Sequence, residues 1–416
     1  MRKAPSLKTN FKWMFMANII FAFLQWLVLS TITKLGSSEM VGVYTLGLAI
    51  TAPIMIFANL QLRAIQATDS KNENKFADFF TLRFIFMALG ILLIATVLIY
   101  SDYDLQVKLI IFVIAISKAI EGMSDIVYGF LQKHEDMKKI ALSLVLRGLT
   151  SVLAFTFSLY FSDSLLIATI LSSVSWLLVF ILLDLRMVNK YEIKRFYNLN
   201  ISIIYKLFII ALPLGIVTML GSLNTNIPRY VIENYLSIEM LGVFGAISYT
   251  MTGVGKFSSA ISQTVSPRLA KYYAGDDKKS FLKLFQKIFV VNFLIGIFGV
   301  LLVLITGEEL LAIMYTEEYA QYNNLFVWIM ILSLFMNLSN AFGVGVTSMR
   351  LFASQLPIHI IKLVIISITS VVFIKKFGIN GAAYALITST IISIVFYVRL
   401  FITGLNKFGG KINGKN

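Results

Sequence analysis

The chain has 416 residues, 58% of them hydrophobic and 14% charged, with a mean hydropathy of +0.83. That balance excludes a water-soluble domain, and the absence of cysteine excludes disulfides, cysteine-held metal and thiol chemistry. The formal net charge of +15 raises the question of nucleic acid, which the sidedness of the charge answers below.

Crossing about 30 Å of hydrocarbon takes roughly 20 apolar residues per helix, so the length leaves room for about a dozen spans. The apolar runs are far longer than the roughly ten-residue alternation of a barrel strand, which makes the predicted fold all-α and polytopic. In chain order the runs fall at 14–33, 41–62, 82–100, 106–131, 140–161 and 165–183, then at 206–228, 239–265, 284–306, 321–347, 354–375 and 381–403. The first is full length and lacks a small-residue cleavage pattern, so it reads as a retained helix and not a signal peptide.

The breaks on one side of these spans hold 28 of the 36 basic residues, counting Arg63, Arg83 and Arg147 with them. The other side holds five: Lys34, Lys108, Arg229, Lys375 and Lys376. By the positive-inside rule both termini are cytoplasmic, and the net charge marks orientation, with no nucleic-acid partner.

The longest inner break, about 184–205, divides the spans six and six, which sets the expected lobes at 1–195 and 196–416. Across it Glu39, Met40, Val41, Gly42, Val43 and Tyr44 return as Glu239, Met240, Leu241, Gly242, Val243 and Phe244, an offset of 200. Six is even, so both halves enter from the same side. The expected relation is a parallel pseudo-two-fold along the membrane normal.

The segment Ser117–Asp136 breaks the apolar rule. Lys118, Glu121 and Asp125 lie on one helical face within a predicted span, with Tyr128 and Gln132 continuing the row. Each charge exposed to lipid near the bilayer centre costs roughly 2.5–3.5 kcal/mol, so this face lines a hydrated cavity or meets partners on other helices. The plainer alternative is an ion pair of Lys118 with Glu121 or Asp125 that locks two helices together.

Other spans carry polar rows: Asn59, Arg63 and Gln66; Ser143, Arg147 and Ser151; Thr218, Ser222, Thr225 and Arg229; Lys256 among Tyr249, Thr252, Ser259 and Gln263; Ser333, Asn337 and Asn340; Gln355, His359, Lys362 and Thr369. Rows without a charge suit helix packing. Arg63 and Arg147 lie within snorkelling reach of the inner headgroups, whereas Lys256 and Lys362 lie deeper and point to a cavity role. Lys118, Arg147, Lys256 and Lys362 outnumber Glu121 and Asp125, and a cationic cavity suits an anion such as phosphate.

No GxxxxGK[ST] phosphate loop, HExxH or Ser/His/Asp constellation occurs, and His134 and His359 are too few for a metal site. The expectation is a non-enzyme without a cofactor or metal, a coupling H+ or Na+ aside.

Four stretches carry a family likeness: KAIEGMSDIVYGFLQKHEDMKKIALSLVLRG (Lys118 to Gly148), LPLGIVTMLGSLNTNIPRYVI (Leu212 to Ile232), SPRLAKYY (Ser266 to Tyr273) and FGINGAAYA (Phe377 to Ala385). With the twelve-span layout they make the chain similar to the Wzx-type O-antigen and capsule polysaccharide flippases, within the multidrug/oligosaccharidyl-lipid/polysaccharide exporter superfamily. The resemblance implies two six-helix lobes forming a V around a central cavity. It implies as substrate an oligosaccharide repeat unit on undecaprenyl pyrophosphate, moved from the inner to the outer leaflet. Lipid II flippases resemble the chain but usually carry two more helices. Cation-coupled multidrug exporters often place an acidic residue in an early helix of a lobe, which the first and seventh spans here lack.

On this reading Lys256, Lys362 and Arg147 hold the pyrophosphate, Arg229 is a release contact near the outer mouth, and Glu121 and Asp125 balance Lys118 and bind the coupling ion. The expected partners are the lipid-linked oligosaccharide, membrane lipids, and a polysaccharide polymerase or glycosyltransferases. Two rival functions remain: a cation-coupled drug antiporter, which prefers an anionic cavity, and a non-transporting scaffold for glycan enzymes.

Overall fold

The computed structural model describes residues 7–69, 74–189, 200–351 and 353–408, and among them there are helices and turns but no strand. In chain order the helices are α1 (Leu7–Leu35), α2 (Ser38–Asn59), α3 (Leu62–Thr68), α4 (Phe76–Ile99), α5 (Leu105–Lys133), α6 (Met137–Ser162), α7 (Leu165–Val179) and α8 (Leu185–Asn189). They continue with α9 (Ile201–Tyr235), α10 (Ile238–Ala274), α11 (Lys278–Met314), α12 (Glu317–Ala320), α13 (Asn323–Ser348), α14 (Leu356–Phe377) and α15 (Ile379–Leu405). The short α3 extends α2, and α8 extends α7 through a π-helical turn at Phe180–Asp184. The long segments therefore correspond to the twelve predicted spans.

Ten of them are long and apolar enough to cross a membrane by length and composition, and α5 and α10 are the two that are not. α5 carries Lys118, Glu121 and Asp125, while serines, threonines and Lys256 interrupt α10. Both are shielded by neighbours, α5 by α2, α3, α4 and α7, and α10 by α11 and α13. The outward faces are apolar: Leu92, Ile99, Phe161, Phe298 and Ile305 are all more than 60% exposed. Apolar surface on that scale belongs against acyl chains, and the protein is a multi-pass membrane protein of helical bundles.

The chain divides into two compact units, Met1–Leu223 and Asn224–Asn416, with the border inside α9. The start of α9 belongs to the first unit because its side chains pack there. Leu207 and Ala211 join the core formed by Leu60, Phe79, Ile126, Tyr128 and Leu144, and Phe208 stacks on Phe86 at 5.1 Å.

The six-residue repeat is also a repeat of local structure. Ser37 caps α2 by accepting a hydrogen bond from the Met40 N–H at 3.2 Å, and Ser237 caps α10 through the Met240 N–H at the same distance. Glu39 and Glu239 follow in the first turns, where a carboxylate complements the helix dipole.

The break expected between 265 and 284 is mostly helix. α10 runs on to Ala274 and α11 starts at Lys278, because Leu269, Tyr273, Phe281 and Phe285 continue the buried helical pattern and pack with Phe401 of α15. Phe285 and Phe401 lie 4.2 Å apart, and Phe408 meets Tyr273 edge-on at 4.9 Å. Asp277 caps α11 by accepting from the Ser280 N–H at 2.9 Å, and its hydrogen bonds with Ser280 hold its carboxyl below the usual carboxylate range. Lys278, Lys279 and Lys283 follow in the first two turns. The dipole is positive in the first turn, so Lys278 and Lys279 each cost roughly 0.3–1 kcal/mol there.

Candidate functional site

Two consecutive left-handed residues, Leu60 (φ 47°) and Gln61 (φ 52°), end α2 and turn α3 onto α5. The approach is close because position 129 is glycine: a Cβ there would lie 3.2 Å from the Arg63 Cα and meet the Gln66 side chain. α3 thereby delivers Arg63 to Asp125. Its Nη1 lies 3.0 Å from Asp125 Oδ1, and its Nε donates to Gln132 Oε1 at 3.1 Å. From α4 Arg83, fully buried, reaches the other carboxylate oxygen at 3.4 Å.

One turn earlier Glu121 is held by two cations. Lys118 Nζ lies 2.9 Å from Oε2, and Arg147 of α6 approaches Oε1 at 3.8 Å. The Arg147 guanidinium is 2% exposed and packs among Trp176, Phe21 and Tyr128, with its carbon 5.0, 5.3 and 5.6 Å from the ring centroids. Behind it Tyr128 OH lies 2.7 Å from Ser143 Oγ, which donates to Asp184 Oδ1 at 2.5 Å. A cavity of about 30 Å³, enough for one or two waters, adjoins Lys118 and is lined also by Gln25, Tyr44, Ser151, Ser172 and Trp176.

Four cations thus meet Glu121 and Asp125 in the first unit, and the open edge of the cluster consists of Arg63, Lys118, Glu121 and Asp125, each 28–31% exposed. Two sequence expectations need correction. Asp125 balances Arg63 and Arg83, not Lys118, because the turn after α2 and the buried face of α4 bring those guanidiniums to it. Arg63 and Arg147 do not snorkel; both are committed to carboxylates and aromatic rings. The Lys118–Glu121 pair lies within one helix, so the ion pairs that join helices are Asp125 with α3 and α4 and, at 3.8 Å, Glu121 with Arg147 of α6. Arg83, counted as an orientation marker, sits two turns inside α4; its place at the start of a predicted span was the signal available. Asp184 and Trp176 carried no signal beyond their residue type.

In the second unit Lys362 of α14 donates to Thr390 Oγ1 of α15 at 3.2 Å. Arg229 of α9 donates to Asn226 Oδ1 at 3.0 Å and to Ser248 Oγ of α10 at 3.5 Å, and its Nε is buried with no hydrogen-bond partner. Among the described residues neither Lys362 nor Arg229 meets a carboxylate. The Lys256 side chain lies outside the described residues. An uncharged knot joins three helices nearby: Asn340 donates to Ser258 and Ser262, and Ser258 donates to Asn292. This is the packing use expected of such rows.

Solved structures share this architecture. The lipid II flippase MurJ in an inward closed conformation aligns over 97% of this chain and 93% of its own, with a TM-score of 0.75 and 14% identity. A multidrug resistance MATE family transporter of the MOP superfamily, inward-facing, aligns over 100% and 98% with a TM-score of 0.66 and 12% identity. At such identities the likeness establishes the fold alone, that of membrane transporters. In sequence, the capsular polysaccharide biosynthesis protein CapF of Staphylococcus aureus is 34% identical over 403 residues, 94% of this chain and 99% of that protein. Residues 7–273 match the family described as polysaccharide biosynthesis protein. With one family pattern over most of the chain and a full-length relative above 30% identity, the chain belongs to the polysaccharide biosynthesis protein family.

Proposed function

We propose that this protein is a flippase that moves undecaprenyl-pyrophosphate-linked oligosaccharide repeat units from the inner to the outer leaflet of the plasma membrane, by ion-coupled alternating access, for surface polysaccharide. The observation that carries the reading is Lys362, an ammonium within a membrane helix whose polar partner is the Thr390 hydroxyl. A cation kept in apolar surroundings without a carboxylate is stabilised by an anion that comes and goes, and a lipid-linked pyrophosphate supplies one. Lys256 and Arg229 in the second unit, and Arg147 and Lys118 in the first, are the further phosphate contacts. Glu121 and Asp125, partly exposed and already flanked by cations, are the positions where a coupling proton or Na+ changes the charge balance. Both termini face the cytoplasm, the protein performs no covalent chemistry, and a polymerase or glycosyltransferases hand on its cargo.

The test is glycan output. Lys362→Ala and Lys256→Ala each abolish surface polysaccharide while the protein remains in the membrane, and purified variants fail to translocate a defined lipid-linked oligosaccharide in vesicles. Normal polymer from both variants removes the pyrophosphate assignment. Altered sensitivity to cationic dyes with normal polymer favours a drug antiporter instead.

A further inference from the structure

The start of α11 sets like charges where a helix disfavours them. Lys279, Lys283 and Lys287 follow at intervals of four, so they form one exposed row rising about 6 Å per step. Neighbouring lysines at that spacing repel, and the first, Lys279, also opposes the helix dipole. None of the three forms an ion pair among the described residues. The opposite face, Phe281, Phe285 and Ile288, is buried in the aromatic core, so the row is held on a rigid support.

The same face continues along the helix as Val291, Leu294, Phe298, Leu301 and Ile305, all exposed. At 3.6 residues per turn these positions and the three lysines share one stripe. The stripe turns from apolar to basic as it leaves the hydrocarbon, which is the profile of a surface that lipid covers from acyl chain to headgroup. A role in fixing membrane orientation requires only that lysines lie on the right side. It does not require one face, nor alignment with the lipid-facing row.

We infer that the stripe formed by Lys279, Lys283 and Lys287 with Val291 and Leu294 is a binding site for an anionic phospholipid, its phosphate on the lysines and its chains along the apolar row. Headgroup attraction then offsets the local repulsion, so the beginning of α11 is most stable in a bilayer containing anionic lipid.

The test uses the purified full-length chain in bilayer discs of phosphatidylcholine with increasing phosphatidylglycerol, reading the thermal unfolding midpoint. Phosphatidylglycerol is expected to raise the midpoint saturably, with the apparent affinity falling about fivefold for each lysine changed to glutamine and falling further with salt. In phosphatidylcholine alone the triple variant K279Q/K283Q/K287Q unfolds no lower than the unchanged chain, which separates loss of lipid from damage to the fold. K407Q, another exposed lysine beyond the end of α15, keeps the full response. The inference is overturned if phosphatidylglycerol adds nothing, if the triple variant responds as the unchanged chain does, or if K407Q loses as much as the triple variant. It is equally overturned if a polyprenyl pyrophosphate stabilises through these lysines and phosphatidylglycerol does not, since the stripe is then a substrate contact. Each result leaves the Lys362 test of translocation standing on its own.

Discussion

Asp125 and Glu121 sit one turn apart on α5 and hold their cations differently. Asp125 joins three helices and faces Arg83, which has no exposed surface, whereas Glu121 makes its close pair with Lys118, both partners 30% exposed, and meets the buried Arg147 only at 3.8 Å. Removing one partner of a buried pair costs roughly 3–5 kcal/mol, and an exposed pair is worth up to about 1 kcal/mol. Asp125→Asn strands the Arg83 guanidinium, so its cost is expected at about 2–4 kcal/mol, below the fully buried figure because Asp125 is itself 31% exposed. Glu121→Gln is expected to cost only about 1 kcal/mol, because Arg147 at 3.8 Å keeps its packing against Trp176, Phe21 and Tyr128 when the carboxylate is lost. Thermal unfolding of the purified variants should therefore separate them by several degrees, with Asp125→Asn lower, while glycan output falls in both. Equal unfolding temperatures would mean that Arg83 draws no stability from Asp125. None of this asymmetry could be read from the sequence. The spacing 118, 121, 125 gave the face, but Asp125's partners lie 62 and 42 residues away, on elements whose approach depends on a turn that no residue type announces.

That turn is the element on which the site depends. Leu60 and Gln61 adopt left-handed angles without glycine or asparagine, a conformation that costs about 1–2 kcal/mol per residue and persists only where packing compensates. Here Leu60 is fully buried in the first unit's core and α3 lies on Gly129. Gly129→Ala places a methyl group against the α3 backbone at Arg63, an overpacking change of roughly 1–3 kcal/mol. The expected outcome is a displaced α3, loss of the Arg63–Asp125 contact and reduced glycan output, with the remaining helices retained. A structure of the variant in which Arg63 still lies on Asp125 would show that α3 is placed by other contacts. Elements governed by apolar periodicity were legible: the twelve spans and, through the repeat, the Glu-Met openings of α2 and α10. Elements governed by a few tertiary contacts were not. The helical ends of α10 and α11 extend through a stretch whose lysines read as loop, because the aromatic residues that bury the other face are spread over three helices.

At the scale of the whole molecule, charge distribution is the feature that sequence reports most directly, since it depends on no contact. Correcting for Arg63, Arg83 and Arg147, which lie inside the bundle, leaves the bias of lysine and arginine toward one set of turns intact. That bias predicts sidedness, and the absence of native cysteine allows each turn to carry a single reporter thiol without background. Glu317→Cys, at the start of the short α12 that follows α11, is expected to react with a membrane-impermeant maleimide on intact cells. Lys279→Cys at the other end of the same helix, and Lys407→Cys beyond α15, should react only after the cells are opened. α11 kinks at Thr306, whose backbone is not helical (φ −126°, ψ 19°). The regular stretch before the kink already rises about 42 Å, beyond the roughly 30 Å of hydrocarbon, so Lys279 and the residues after the kink cannot share a side if the helix spans. Labelling of Lys279→Cys and Glu317→Cys from the same side would therefore refute the span itself, whereas labelling of all three with sides exchanged would keep the fold and invert the membrane orientation. The inverted result would also place the basic stripe of α11 on the outer leaflet and reverse the direction of transport proposed here.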